Sequence, residues 1–192
     1  GTPTAAPAVA AERFTVTTDV MKVTFDTEGG SIVRTEFLKH QADKPGSHMV
    51  LLDQSAERVY VANTGLVGGD FPNHKSVMRF SGDKQLKDGA NELVVKFESP
   101  EQGGVKLVKT YTLKRGAYEV PVKFEAVNVG AAPVTPQLYV QLVRDGNALP
   151  GESSFYSTFT GPAAYTEAKK FHKIDFKDIE KGKAELDKEA TN

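Results

Sequence analysis

From Arg13 onward the hydrophobic positions recur with a period of two, the spacing that turns alternate side chains to one face of a strand. Val23 and Phe25 alternate with Lys22 and Thr24, the run Asp26-Thr27-Glu28-Gly29-Gly30 interrupts, and 32–38 resumes the extended pattern. The glycine pair supplies the positive-φ positions of a tight turn, so this stretch predicts a hairpin. Val59 with Val61, and Met78 with Phe80, mark further strands, closed by Gly-containing loops at 64–70 and 81–89.

The strand signals are strongest between Glu92 and Arg144. Leu93, Val95 and Phe97 alternate with Val94, Lys96 and Glu98, and 106–114 returns after a turn at 100–104. In 118–126, Tyr118, Val120, Val122, Phe124 and Ala126 share one face while Glu119, Pro121, Lys123 and Glu125 share the other, which predicts a strand with one dry and one wet face. Pro121 has no N–H for a ladder, so this strand is expected at a sheet edge or bulge. A strand over 134–144 and a short one over 155–159 follow. Only 178–189 has helical composition, with Ile179 and Leu186 seven apart and Lys and Glu between them.

About ten strands with turn signals every dozen residues, and no strand–helix alternation, predict an all-β protein, a large antiparallel β-sandwich with a short C-terminal helix. The expected organisation is an Ala/Pro-rich linker over 1–12, one sandwich over 13–177 and a helical segment over 178–192.

Composition narrows the function classes. The net charge of -1, with Lys and Arg scattered among Asp and Glu, gives no basic stripe, so nucleic acid is not an expected partner. The absence of cysteine removes disulfides, thiolate catalysis and Cys-ligated zinc. The apolar run Met49-Val50-Leu51-Leu52 is far below the ~20 residues that cross a bilayer.

Candidate chemistry is sparse. His40, His48, His74 and His172 stand outside any metal spacing and are expected as exposed surface residues; no cofactor is expected. No G-x-S-x-G elbow occurs, and Gly29-Gly30, Gly68-Gly69 and Gly103-Gly104 lack the following helix that a phosphate cradle needs. Phe159 and Tyr165, in the run Phe159-Thr160-Gly161-Pro162-Ala163-Ala164-Tyr165, are candidates for an aromatic groove of the kind that binds carbohydrate, although Trp is absent throughout. Lys170, Lys173 and Phe176 combine cations with aromatics and are candidates for contacts beside anionic headgroups, the alternative being a solvated charged face.

Several stretches, taken in order, resemble the large periplasmic domain of the YidC family of bacterial inner-membrane protein insertases. They are Thr18-Asp19-Val20 followed by Asp26-Thr27-Glu28-Gly29-Gly30, then Thr64-Gly65-Leu66-Val67-Gly68, then Tyr111-Thr112-Leu113-Lys114-Arg115-Gly116-Ala117-Tyr118, then 159–165 and the spaced Lys170, Lys173 and Phe176. The resemblance implies a β-supersandwich like that of galactose mutarotase, tethered at both ends to transmembrane helices outside this chain. It implies a non-catalytic module, since the family's insertase work belongs to those helices. Sec translocon accessory subunits and nascent membrane proteins are the implied partners. The region 104–129, with Lys114, Arg115, Tyr118 and Pro121, is the candidate docking surface because Pro121 points to an open edge. The alternative is a sugar-binding or sugar-isomerising domain, which needs a His acid and a carboxylate base converging on one cleft.

Overall fold

The computed structural model describes residues 10–42, 44–147 and 159–184, which gather into two compact units, 1–144 and 145–192. The first unit ends at Arg144, inside the 13–177 span that the pattern assigned to one sandwich.

The first unit holds ten strands: β1 (Arg13–Thr17), β2 (Met21–Asp26), β3 (Ser31–Gln41), β4 (His48–Gln54), β5 (Val59–Val67), β6 (Arg79–Gly82), β7 (Glu92–Glu98), β8 (Val105–Lys114), β9 (Val122–Asn128) and β10 (Gln137–Arg144). They form a six-stranded sheet in the order β1-β2-β3-β4-β5-β10 and a four-stranded sheet in the order β6-β7-β8-β9, with every neighbouring pair antiparallel. The all-β antiparallel sandwich is the fold the period-two pattern predicts.

The alternation explains how the sheets meet. Val16 of β1, Met21, Val23 and Phe25 of β2, Leu93, Val95 and Phe97 of β7, and Leu107, Tyr111 and Leu113 of β8 are buried together in one core. The Phe25 ring lies 5.4 Å from Phe97 and 5.0 Å edge-on from Tyr111, and Phe14 lies 4.3 Å from Phe80. Such aromatic pairs add about 0.5–1.5 kcal/mol each beyond the area they bury.

One side of the sandwich is laced shut by main-chain bonds. Thr17 N donates to Lys84 O at 3.0 Å, Leu86 N to Thr17 O at 2.9 Å and Met78 N to Thr27 O at 2.8 Å, which joins the β1–β2 end of the large sheet to the chain around β6. At the opposite side β10 and β9, joined by 129–136, are the outermost strands of their sheets among the described residues.

Four details depart from the pattern. The strand expected over 118–126 begins only at Val122, because Pro121 offers no N–H; its carbonyl still accepts from Thr112 N at 3.0 Å, so Pro121 leads straight into the edge strand β9. Ala126, expected on the dry face, is exposed, since β9 lies at the margin of the core. The expected loop at 64–70 is strand through Val67, paired with β10. The apolar run at 49–52 belongs to β4, which the pattern did not separate as a strand.

In the second unit β11 (Ala163–Thr166) and β12 (Lys170–Lys173) make a hairpin, followed by α1 (Phe176–Glu180). The helix was expected over 178–189. It starts two residues earlier and closes at Lys181 and Gly182, the latter at φ 64, a left-handed position that ends helices. The rest of that span, from 185, lies outside the described residues, as do 155–158 of the expected short strand and 1–9 of the linker.

Candidate functional site

Lys109 is the most unusual polar residue of the core. Its place in β8, in step with inward Leu107 and Tyr111, turns the side chain into the sandwich, where it is 0% exposed. The ammonium uses its three donors on uncharged oxygens: Gly29 O at 2.6 Å, Thr64 O at 2.8 Å and Thr64 Oγ1 at 2.6 Å. Two residues on, the Tyr111 hydroxyl donates to Gly30 O at 2.7 Å. β8 thus clamps the β2–β3 turn, and Lys109 also reaches β5. Burial pushes the Lys109 ammonium down to about 7 and holds the Tyr111 phenol well above its ordinary range. The three acceptors oppose the first effect, because only the ammonium can serve all of them.

A cavity of about 350 Å³, lined by sequence neighbours of the clamped residues, gathers Arg13, Asp26, Glu28, Asn63, His74 and Lys75 with Val33, Val61 and Val143. It brings one histidine and two carboxylates together, which sequence spacing did not reveal. Their polar atoms are engaged: Arg13 Nε pairs with Asp26 at 2.8 Å and Lys75 Nζ with Glu28 at 3.1 Å. The Tyr139 hydroxyl accepts from His74 N at 3.2 Å and is also hydrogen-bonded to the ring's Nδ1, the direction of that second bond following the ring's tautomer. Burial, with Lys75 and Lys109 nearby, lowers the His74 pKa, so the ring is neutral at pH 7.

The histidines divide. His40 and His48 are exposed as expected, whereas His74 and His172 are half-buried, and both His172 ring nitrogens lie buried without a hydrogen-bond partner. Tyr139, which holds His74, stands 65 residues away along the chain, so no local motif announces the pair.

The docking set 114–121 runs from the last residue of β8 through the whole connection to β9. Lys114 and Pro121 are exposed. Arg115 is turned back on the fold, donating from Nε to Ala90 O and from Nη2 to Lys87 O, both at 2.9 Å. Tyr118 packs edge-on to Phe37 at 5.3 Å and lies 5.3 Å from the His40 ring. It is still 41% exposed.

In the second unit each of the two aromatic candidates lies near a lysine. Lys173 Nζ sits 5.0 Å from the centre of the Phe159 ring and Lys170 Nζ 5.9 Å from that of Tyr165. Lys170 also pairs with Glu167 at 2.9 Å, and Phe176 opens α1. Among the described residues no helix is long and apolar enough to cross a membrane, and no three His, Asp or Glu side chains converge as metal ligands.

A family model described as the YidC periplasmic domain matches residues 13–192. The chain belongs to the YidC periplasmic-domain family. Among similar proteins named membrane protein insertase YidC, that of Cupriavidus necator is 48% identical over 190 residues, covering 99% of this chain and 34% of the relative. That of Herminiimonas arsenicoxydans is 48% identical over 187 residues, covering 96% and 33%, and that of Burkholderia ambifaria 47% over 194 residues, covering 98% and 34%. The chain therefore spans about a third of the length of the curated relatives it matches. The family named by the ordered motifs is the family shown here.

Proposed function

We propose that this chain is a non-catalytic periplasmic module of an inner-membrane protein insertase that docks other translocation components, Sec accessory subunits foremost, and thereby assists insertion and folding of nascent membrane proteins. The observation that carries the reading is the edge position of β9, which among the described residues pairs only with β8. Pro121 leads into this strand and Lys114 stands exposed beside it, which is the geometry of an edge that pairs with or abuts a partner. Lys170, Lys173 and Phe176 are proposed to face the membrane surface.

Photo-crosslinkers placed at Lys114 and Pro121 test the docking reading. The expected result is a specific adduct with purified Sec accessory subunits, lost with Lys114→Glu. Adduct yields equal to those of an unrelated periplasmic sandwich would remove the support for docking at this edge.

A second reading, carbohydrate binding, draws on the 350 Å³ cavity with its charged and valine side chains. Titration with a panel of aldoses and oligosaccharides separates it from the first: binding abolished by Asn63→Leu would favour it, and no binding at millimolar sugar would dismiss it.

A further inference from the structure

Lys109 holds three oxygens of two kinds. Gly29 O at 2.6 Å and Thr64 O at 2.8 Å are carbonyls, which only accept; Thr64 Oγ1 at 2.6 Å belongs to a hydroxyl, which accepts or donates as it rotates. Lys109 is 0% exposed, so its bonds do not depend on what lies outside the sandwich, and a bond lost there is not replaced by bulk water.

An ammonium has three hydrogens and no lone pair, so as a cation Lys109 donates to all three oxygens. The hydrogen of the Thr64 hydroxyl is then left over, with no acceptor among the described residues. An amine has two hydrogens and one lone pair. With its hydrogens on the two carbonyls, its lone pair is left for Thr64 Oγ1, and the hydroxyl hydrogen fits it. The neutral form uses every hydrogen of the cluster and buries no charge.

The surroundings favour loss of the proton. Across the ladders Lys109 faces Phe97 of β7 and Phe124 of β9, neither of which titrates, while Lys96, Glu98, Lys123 and Glu125 beside them alternate to the opposite face. β5 presents Thr64, which is uncharged. On β8 itself Tyr111 donates to Gly30 O, and burial holds its phenol well above the ordinary range, so it stays neutral. Beyond the β2–β3 turn Glu28 is paired with Lys75 at 3.1 Å and Asp26 with Arg13 at 2.8 Å. His74 is lowered by burial first, then by Lys75 and Lys109. Among the described residues no carboxylate pairs with Lys109, and burial brings its ammonium down to about 7.

We propose that Thr64 is the moving part of a proton switch inside the sandwich: when Lys109 gives a proton to solvent, the Thr64 hydroxyl turns from acceptor to donor, and the clamp keeps three bonds as ammonium and as amine. The N–H bond that breaks leaves its electron pair on Nζ, and the hydroxyl hydrogen turns to that pair without leaving Thr64. The β2–β3 turn and β5 thus stay tied to β8 while the core gains or loses a charge. Lys109, Thr64 and Gly29 belong neither to the docking set 114–121 nor to the lining of the 350 Å³ cavity, so the switch and those two readings stand or fall separately.

The test uses the 192-residue chain, isotope-labelled in its lysines and threonines for NMR. The Lys109 ε-carbon, assigned through the backbone, should titrate near about 7, well below an ordinary 10.5. At about pH 8.5 a Thr64 hydroxyl resonance with a cross-peak to the Lys109 ε-methylene should be present, and at about pH 5.5 it should be gone, the hydrogen then exchanging with water. Double-mutant cycles of Thr64→Val with Lys109→Met, read by urea, should give a coupling of at least about threefold in the folding constant at both pH values. The coupling should be larger at the acid one, where the bond is charge-assisted. Thr64→Ser keeps the hydroxyl and should keep the resonance. Should Lys109→Met fail to fold, the hydroxyl resonance of the unaltered chain decides. Titration of Lys109 at 10.5, a Thr64 hydroxyl signal that is the same or missing at both pH values, or a coupling that vanishes at the alkaline one would each overturn the proposal.

Discussion

The Lys109 ammonium crosses the sandwich to donate to the Gly29 carbonyl at 2.6 Å, tying the middle of β8 to the turn between β2 and β3. Its other two bonds go to Thr64, so one buried cation holds three elements without a carboxylate. Burial sets its pKa at about 7 against an ordinary 10.5, so between those values the unfolded chain binds more protons than the folded one. Stability is then expected to rise as pH climbs from 7 toward 10.5, with a slope approaching about 1.4 kcal/mol per unit, and to show no such term below 7, where both states are protonated. Urea midpoints at pH 7 and about pH 9.5 measure it against Lys109→Met, which should flatten the rise. An unchanged slope in the variant would place the pH dependence elsewhere.

The turn that Lys109 clamps should tolerate no side chain. Gly30 has φ 55, and a Cβ there would stand 2.8 Å from Phe97. Gly30→Ala is expected to cost roughly 2–4 kcal/mol from left-handed strain and overpacking together. Gly89 has φ 78 with nothing within 4 Å, so Gly89→Ala carries only the backbone strain, about 1–2 kcal/mol. Comparing the two by chemical denaturation isolates the Phe97 contact; equal losses would argue against it.

Phe97 itself is 0% exposed and stands at 5.4 Å from Phe25, 5.8 Å from Phe80 and 6.0 Å from Tyr111. Phe97→Ala should destabilise by about 3–5 kcal/mol, since it removes the ring on which both sheets meet. Thermal unfolding reads the loss directly, and a cost below about 1 kcal/mol would mean the two sheets do not rely on this ring.

Tyr118 distinguishes packing from docking. Its edge-on contact with Phe37 predicts that Tyr118→Ala costs about 1 kcal/mol of stability, while Tyr118→Phe is nearly neutral. If the ring also meets a partner, Tyr118→Ala should lower crosslinking of the Sec subunit under conditions where the domain remains folded. Undiminished crosslinking would confine Tyr118 to packing.

Much of the fold was legible because a half-buried sheet imposes its period on local sequence. The Gly29-Gly30 hairpin, the alternation of β7 and the edge placement of the strand after Pro121 all follow from a few adjacent residues. The candidate sites were less legible. Lys109 sits at an inward position of a strand that alternation alone marks, but Lys is ordinarily an outward residue, and only the oxygens of Gly29 and Thr64, 80 and 45 residues distant, explain its burial. The C-terminal helix misled for a related reason: Lys and Glu favour helix wherever they occur, while Gly182 in the left-handed conformation stops it after Glu180.

By itself, then, the sequence determined the class of fold, its principal turns and, through motifs kept in order, the family. Strand period and turn chemistry are local, and each residue carries its share of the signal. The tertiary structure alone decided which distant strands paired, which histidine met a tyrosine, and which oxygens received a buried lysine. Those are properties of pairings between strands far apart in the chain, and no window of neighbouring residues contains both partners.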